Sequence, residues 1–239
     1  MPTPLDIGFV LLFTVVVTVF DTLYFVPRFK AEAKAGVPGV RGLAYRRTVL
    51  GQWAFALAAT LIWVRSGRPW SDLGVVPPGL AGLIGSTVVV ALIGALTIQQ
   101  VRAIGRLKPA RREALRQKLA YVEYLLPHSR GELSWFIALA ITAGVCEELL
   151  YRGFLLWVLK AYVGIALAAV IGVALFGVLH LYQGRQGALK AAAAGAVMTL
   201  IYLVTGWLFP AMVVHALVDL SGGVLGFTVL SGVGDTAER

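Results

Sequence analysis

Cysteine occurs once in 239 residues and histidine three times, while Asp and Glu together account for only twelve. The lone Cys146 excludes an internal disulfide and leaves the redox compartment unread. Charged residues make up 14% of the chain, against about 25% in an ordinary soluble domain. That shortfall excludes a solvated globular surface. In its place the chain is 59% hydrophobic, which makes it an integral membrane protein of a length that suits one helical bundle, 1–239. The net charge of +9 does not point to nucleic acid, because the Lys and Arg lie almost wholly between apolar segments, where a membrane surface is the simpler partner. The first apolar segment is preceded by no positive leader or small-residue cleavage site, so it is expected to remain as a membrane helix.

Seven segments are long and apolar enough to span a bilayer: about 7–26, 48–64, 79–99, 133–159, 162–180, 191–207 and 210–230. The fourth is too long for an upright helix and is expected to tilt, kink or protrude. The connections 27–47, 100–132 and 181–190, together with Arg239, hold most of the basic residues, while Arg65, Arg68 and Lys160 fall on the other side. The positive-inside rule then places the N-terminus outside and the C-terminus in the cytoplasm. The expected fold is an all-α polytopic transmembrane bundle of about seven spans. Within 109–126, Leu115, Leu119, Val122 and Leu126 recur at helical spacing while Arg111, Arg112, Arg116 and Lys118 lie mostly off that stripe. This reads as an amphipathic helix on the membrane surface, a solvated connector being the plainer reading. The small-residue run Ala191–Ala194 is expected to let its helix pack closely on a neighbour.

Against this background, ionisable residues inside apolar stretches need a reason, since one charge at the bilayer centre costs about 2.5–3.5 kcal/mol on insertion scales. Glu147, Glu148, Arg152 and Asp219 are such residues, and His180 and His215 accompany them. On a helix Glu148 and Arg152 stand one turn apart, as an ion pair does, while Glu147 projects about 100° away toward another neighbour. One carboxylate is thus tied to the guanidinium and its neighbour is left for proton transfer. His180 closes the segment Phe176-Gly177-Val178-Leu179-His180. His215 and Asp219 are four apart on one helix face, where Asp219 can orient the imidazole. Taken singly, each feature has a structural reading: a buried ion pair, a helix-end histidine, a polar contact between helices. Together they hold a base for water and donors for an oxyanion, the parts that peptide hydrolysis needs.

Glu-Glu-x-x-x-Arg, then Phe-x-x-x-His, then His-x-x-x-Asp resembles, in order and spacing, the CPBP family of intramembrane proteases. That family includes the type II CAAX prenyl endopeptidases and bacterial Abi or bacteriocin-processing relatives. The resemblance covers about 138–222, within a catalytic core expected at 133–230, and takes in the Trp207-Leu208-Phe209-Pro210 run; Asp72-Leu73-Gly74 is weakly similar. It implies that Glu147 and His180 activate water, that His215 and Asp219 form the oxyanion side, and that Glu148 and Arg152 support them. The prenyl endopeptidases generally carry Asn where this chain has Asp219. An amide donates to an oxyanion and an ionised carboxylate does not, so Asp219 is expected to orient His215.

The expected activity is metal-independent cleavage of a membrane-associated or CAAX-like peptide in a prokaryotic cell membrane, with lipid and peptide as partners and no cofactor. The rival readings are a zinc-dependent protease using Glu147, His180 and His215, and a non-catalytic scaffold or immunity protein. A transporter is disfavoured because no inverted repeat or pair of broken helices stands out. Cys146, among apolar neighbours, reads as a small hydrophobe. By the span count, His215 falls nearer the outer end of the last helix than Glu147 does, so tilt or a break in the fourth helix is expected to bring Glu147, His180 and His215 together.

Overall fold

A computed structural model describes residues 1–231; Arg239, counted above with the basic connections, lies outside the described residues. The described chain is helical almost throughout and contains no strand. Its long rods are α1 (Pro4–Lys34), α2 (Val40–Arg65) and α3 (Leu80–Gly105). After the short α4 (Pro109–Leu119) comes a 50-residue helical stretch, Arg130–Leu179.

Straight, that stretch would run about 75 Å, far more than the roughly 30 Å of hydrocarbon. It is interrupted at Gly164, whose φ of 76° and ψ of 164° are not helical. The chain doubles back there: the rings of Tyr151 and Phe176 lie 5.1 Å apart, which a straight helix forbids. The stretch is therefore two rods, α5 (130–163) and α6 (165–179). With α7 (Leu181–Thr205) and α8 (Leu208–Leu230), the described residues form seven rods matching the seven apolar segments, of which α6 is short, about 22 Å. The break falls at glycine because that backbone lies outside the region open to a residue with a Cβ.

Lipid tails are as apolar as leucine, so the rods associate through close packing, and small residues mark where they touch. A Cβ on Gly144 of α5 would stand 2.6 Å from the Met212 carbonyl of α8 and 2.9 Å from Ala216. Gly177 of α6 abuts Ala192 of α7 at 2.8 Å on the same test, so the alanine run does meet a neighbour closely. An aromatic cluster of Phe9, Phe13, Trp63 and Phe154 joins α1, α2 and α5. Each such ring pair adds about 0.5–1.5 kcal/mol beyond buried area.

The stripe Leu115, Leu119 and Val122 packs with Leu126 against Leu225, Val229 and Leu230 at the end of α8. The helical part of that region stops at Leu119, and a turn and a short 3₁₀ segment, Glu123–Leu125, complete it. At the opposite end of the bundle, Thr3 caps α1 and Asp6 is buried against Arg68, which reaches both of its oxygens at 2.8 and 2.6 Å.

Candidate active site

Glu147 and Glu148 close the α-helical turns of α5, and the helix widens at once into a π-helical segment, Leu149–Leu155. Such segments appear frequently at functional sites. Glu148 is 0% exposed and Arg152 3%. Arg152 Nη1 donates to Glu148 Oε1 at 2.9 Å, Nη2 to the Gly195 carbonyl at 2.9 Å, and Nε to Thr199 Oγ1 at 3.3 Å. Gly195 permits this approach, since a Cβ there would stand 3.0 Å from Nη2. A buried guanidinium is thus paired and hydrogen-bonded, the condition on which a charge is tolerated in a dry interior.

His215 arrives from α8. Its Nδ1 lies 2.7 Å from Glu148 Oε1, and its Nε2 faces Glu147 Oε2 at 3.9 Å and Asp219 Oδ2 at 3.6 Å. The short orienting contact of the imidazole is therefore with Glu148; Asp219 stands beyond hydrogen-bond distance. The expectation that one carboxylate supports while its neighbour projects elsewhere corresponds to this split. Glu148 turns inward to Arg152 and His215, and Glu147 remains partly exposed, at 17% of its side chain.

His180 ends α6, with its Nδ1 2.7 Å from the Phe176 carbonyl. No hydrogen bond joins it to Glu147 among the described residues. The Phe176 ring links the two histidines, with centroids 4.5 Å from His180 and 6.0 Å from His215. The same ring receives the Arg152 guanidinium at 4.5 Å, a cation–π contact. The Tyr124 hydroxyl donates to the Tyr182 carbonyl, which ties down the turn Leu181–Gln183 that follows His180.

Two residues of α2 complete the surroundings. Gln52 Nε2 donates to Glu147 Oε1 at 2.6 Å, and Trp53 Nε1 donates to Thr142 Oγ1 at 3.2 Å. Gln52 Oε1 is buried without a partner, as is Glu148 Oε2. Sequence reasoning missed Gln52. Its signal was present, as the one carboxamide in the apolar stretch 48–64, but its partner 95 positions away was not.

Among the described residues no three His, Cys, Asp or Glu side chains are grouped to hold one ion.

Residues 129–221 match the family model described as Type II CAAX prenyl endopeptidase Rce1-like. The match spans 93 of the 239 residues and is a likeness to the CPBP/CAAX-type proteases over that segment. The matched segment holds every site residue named above except Gln52 and Trp53 on α2 and Tyr124. No curated protein and no solved structure matches the chain.

Proposed function

We propose that the protein is an intramembrane endopeptidase that hydrolyses a peptide bond in a membrane-associated or CAAX-like substrate. The observation that carries this reading is the convergence, within the membrane rods, of Glu147, Glu148, Arg152, His215 and Asp219 from α5 and α8, inside a segment matched by a protease family.

In this reading Glu147 takes a proton from water as the water oxygen attacks the scissile carbonyl carbon. His180 assists from the end of α6. His215, held at Nδ1 by Glu148, has Nε2 to turn toward the oxyanion, and in its doubly protonated form it donates there. Collapse of the tetrahedral species breaks the C–N bond, and the proton held by Glu147 passes to the departing amine. The products are a carboxylate and an amine. Asp219, 3.6 Å from Nε2, favours the protonated imidazole through its charge and donates nothing to the oxyanion. The basic connections 27–47 and 100–132 face the cytoplasm in this reading, by the positive-inside rule.

The test is cleavage of quenched-fluorescent membrane peptides, with and without a farnesylated C-terminal Cys-a-a-X tail, by purified protein in liposomes. Glu147→Gln is expected to lose about 10²- to 10⁴-fold in rate, the usual contribution of a general base. No wild-type turnover, or turnover indifferent to Glu147→Gln, would reject the reading. Activity abolished by a chelator and restored by zinc would replace it with the metal-dependent one.

A further inference from the structure

From Arg152 toward the turn 160–164, residues of α5, α6 and α7 line a half-open cavity of about 180 Å³ that Glu148 does not reach. Its polar lining side chains are Arg152, Trp157, Lys160 and Tyr202. All four can donate a hydrogen bond and none is a carboxylate. The remainder of the wall is aliphatic apart from Gly206. A concave site built from donors over apolar walls selects an anion with a hydrocarbon neighbour.

The charge balance around the cavity points the same way. Arg68 lies over the Trp157 ring at 4.3 Å, but Asp6 neutralises it. Glu148 neutralises Arg152, whose three protein hydrogen bonds leave part of its donor fork unspent. Lys160 is exposed and forms no ion pair among the described residues. Lys160 is therefore the one unpaired cation of the lining among the described residues, at the mouth, while the exposed Asp72 lies near Tyr202 outside the wall. The location is also that of a headgroup: Trp157, Lys160 and the 60% exposed Tyr162 cluster where α5 ends, the residue types that mark a membrane boundary.

We propose that this cavity binds the anionic headgroup of a membrane lipid, with Lys160 at the mouth and Arg152 at the floor. A phosphate group fits the volume, whereas a drug-sized molecule needs about 300–1,000 Å³. The aliphatic wall accommodates the start of the acyl chains. The site adjoins the hydrolytic centre and does not rest on its chemistry. Arg152 is common to both, so an occupant would share the guanidinium with Glu148.

The experiment uses the full chain in phosphatidylcholine nanodiscs, with and without phosphatidylglycerol, read by native mass spectrometry and thermal unfolding. Saturable retention of phosphatidylglycerol and a raised melting temperature are expected. Lys160→Gln should weaken retention about fivefold, the worth of one lysine near an anionic surface. Arg65→Gln, exposed at the same end but outside the cavity wall, should leave it unchanged. Equal weakening by both substitutions would show diffuse surface attraction and overturn the site, as would retention indifferent to phosphatidylglycerol. Glycerol 1-phosphate in plain phosphatidylcholine discs forms the last arm: protection equal to that of the lipid would overturn the lipid as occupant in favour of a free phosphate ester.

Discussion

His215 Nδ1 and Arg152 Nη1 meet at one atom, Glu148 Oε1, at 2.7 and 2.9 Å. That oxygen joins the middle of α5 to the α8 helix, 67 positions later in the chain. It also settles which face of the imidazole is available, because a ring bound through Nδ1 presents Nε2 to Glu147 and Asp219.

Removing Glu148 should therefore cost stability before it costs chemistry. Glu148→Ala leaves the Arg152 charge buried without its partner, a loss of about 3–5 kcal/mol. Glu148→Gln keeps an acceptor oxygen for Arg152 and His215 and should lose less. Thermal unfolding in detergent should rank the proteins wild type, Glu148→Gln, Glu148→Ala. Equal melting temperatures would mean that the pair holds nothing together.

Gln52 should prove a positioning residue for Glu147. Its Nε2 pins Glu147 Oε1 at 2.6 Å, which leaves Oε2, the oxygen nearer His215, as the one free to take a proton. A hydrogen bond to a charged group is worth about 1.5–3 kcal/mol, so Gln52→Met should lower kcat by roughly 10- to 100-fold with KM little changed. Gln52→Glu, which keeps the size and removes the donor, should fall similarly. A rise in KM at constant kcat would instead place Gln52 on the substrate.

Asp219→Asn should be tolerated. At 3.6 Å from His215 Nε2, Asp219 makes no short bond for the amide to lose, and Asn matches the residue generally found in the prenyl endopeptidases that this chain resembles. Activity within about tenfold of wild type is expected, a smaller change than loss of a general base gives. A gain on substitution would mean that an amide donor to the oxyanion is what the site lacks.

The rods and the ion pair were legible in the sequence because each follows from spacing along one helix. Apolar stretches of span length became rods, and Glu148 met Arg152 because residues four apart share a face. The reversal at Gly164 falls close to the boundary between the fourth and fifth apolar segments, 133–159 and 162–180. What stayed hidden was the partner of each contact between helices. His215 appeared to pair with Asp219, its neighbour one turn away, because the sequence displays only local partners; packing of Gly144 against Met212 and Ala216 brings α8 near enough for Glu148 to take that place. His180 was read beside Glu147, yet its Nδ1 turns back to the Phe176 carbonyl of its own helix. The stripe within 109–126 points by its spacing to a membrane surface, whereas Leu115, Leu119 and Val122 pack on the end of α8.

His128, outside the membrane rods, should set a pH dependence of stability. Burial first, and then the nearby positive charge of Arg41, hold its imidazole below the ordinary value of 6.5, with Glu132 and Glu123 opposing more weakly. Its Nε2 is buried without a partner, so a proton added there would have no acceptor. The folded protein keeps the ring neutral, whereas the unfolded chain takes up a proton as the pH drops below about 6.5. Stability from this residue is therefore full above that pH and declines as acidification proceeds through the lower folded value. Melting temperatures should fall in the window just below pH 6.5, above the ordinary carboxylate range. His128→Asn retains the backbone N–H that donates to Glu132 Oε2 at 2.7 Å and should flatten that decline. An unchanged slope in the variant would assign the acid sensitivity to another group.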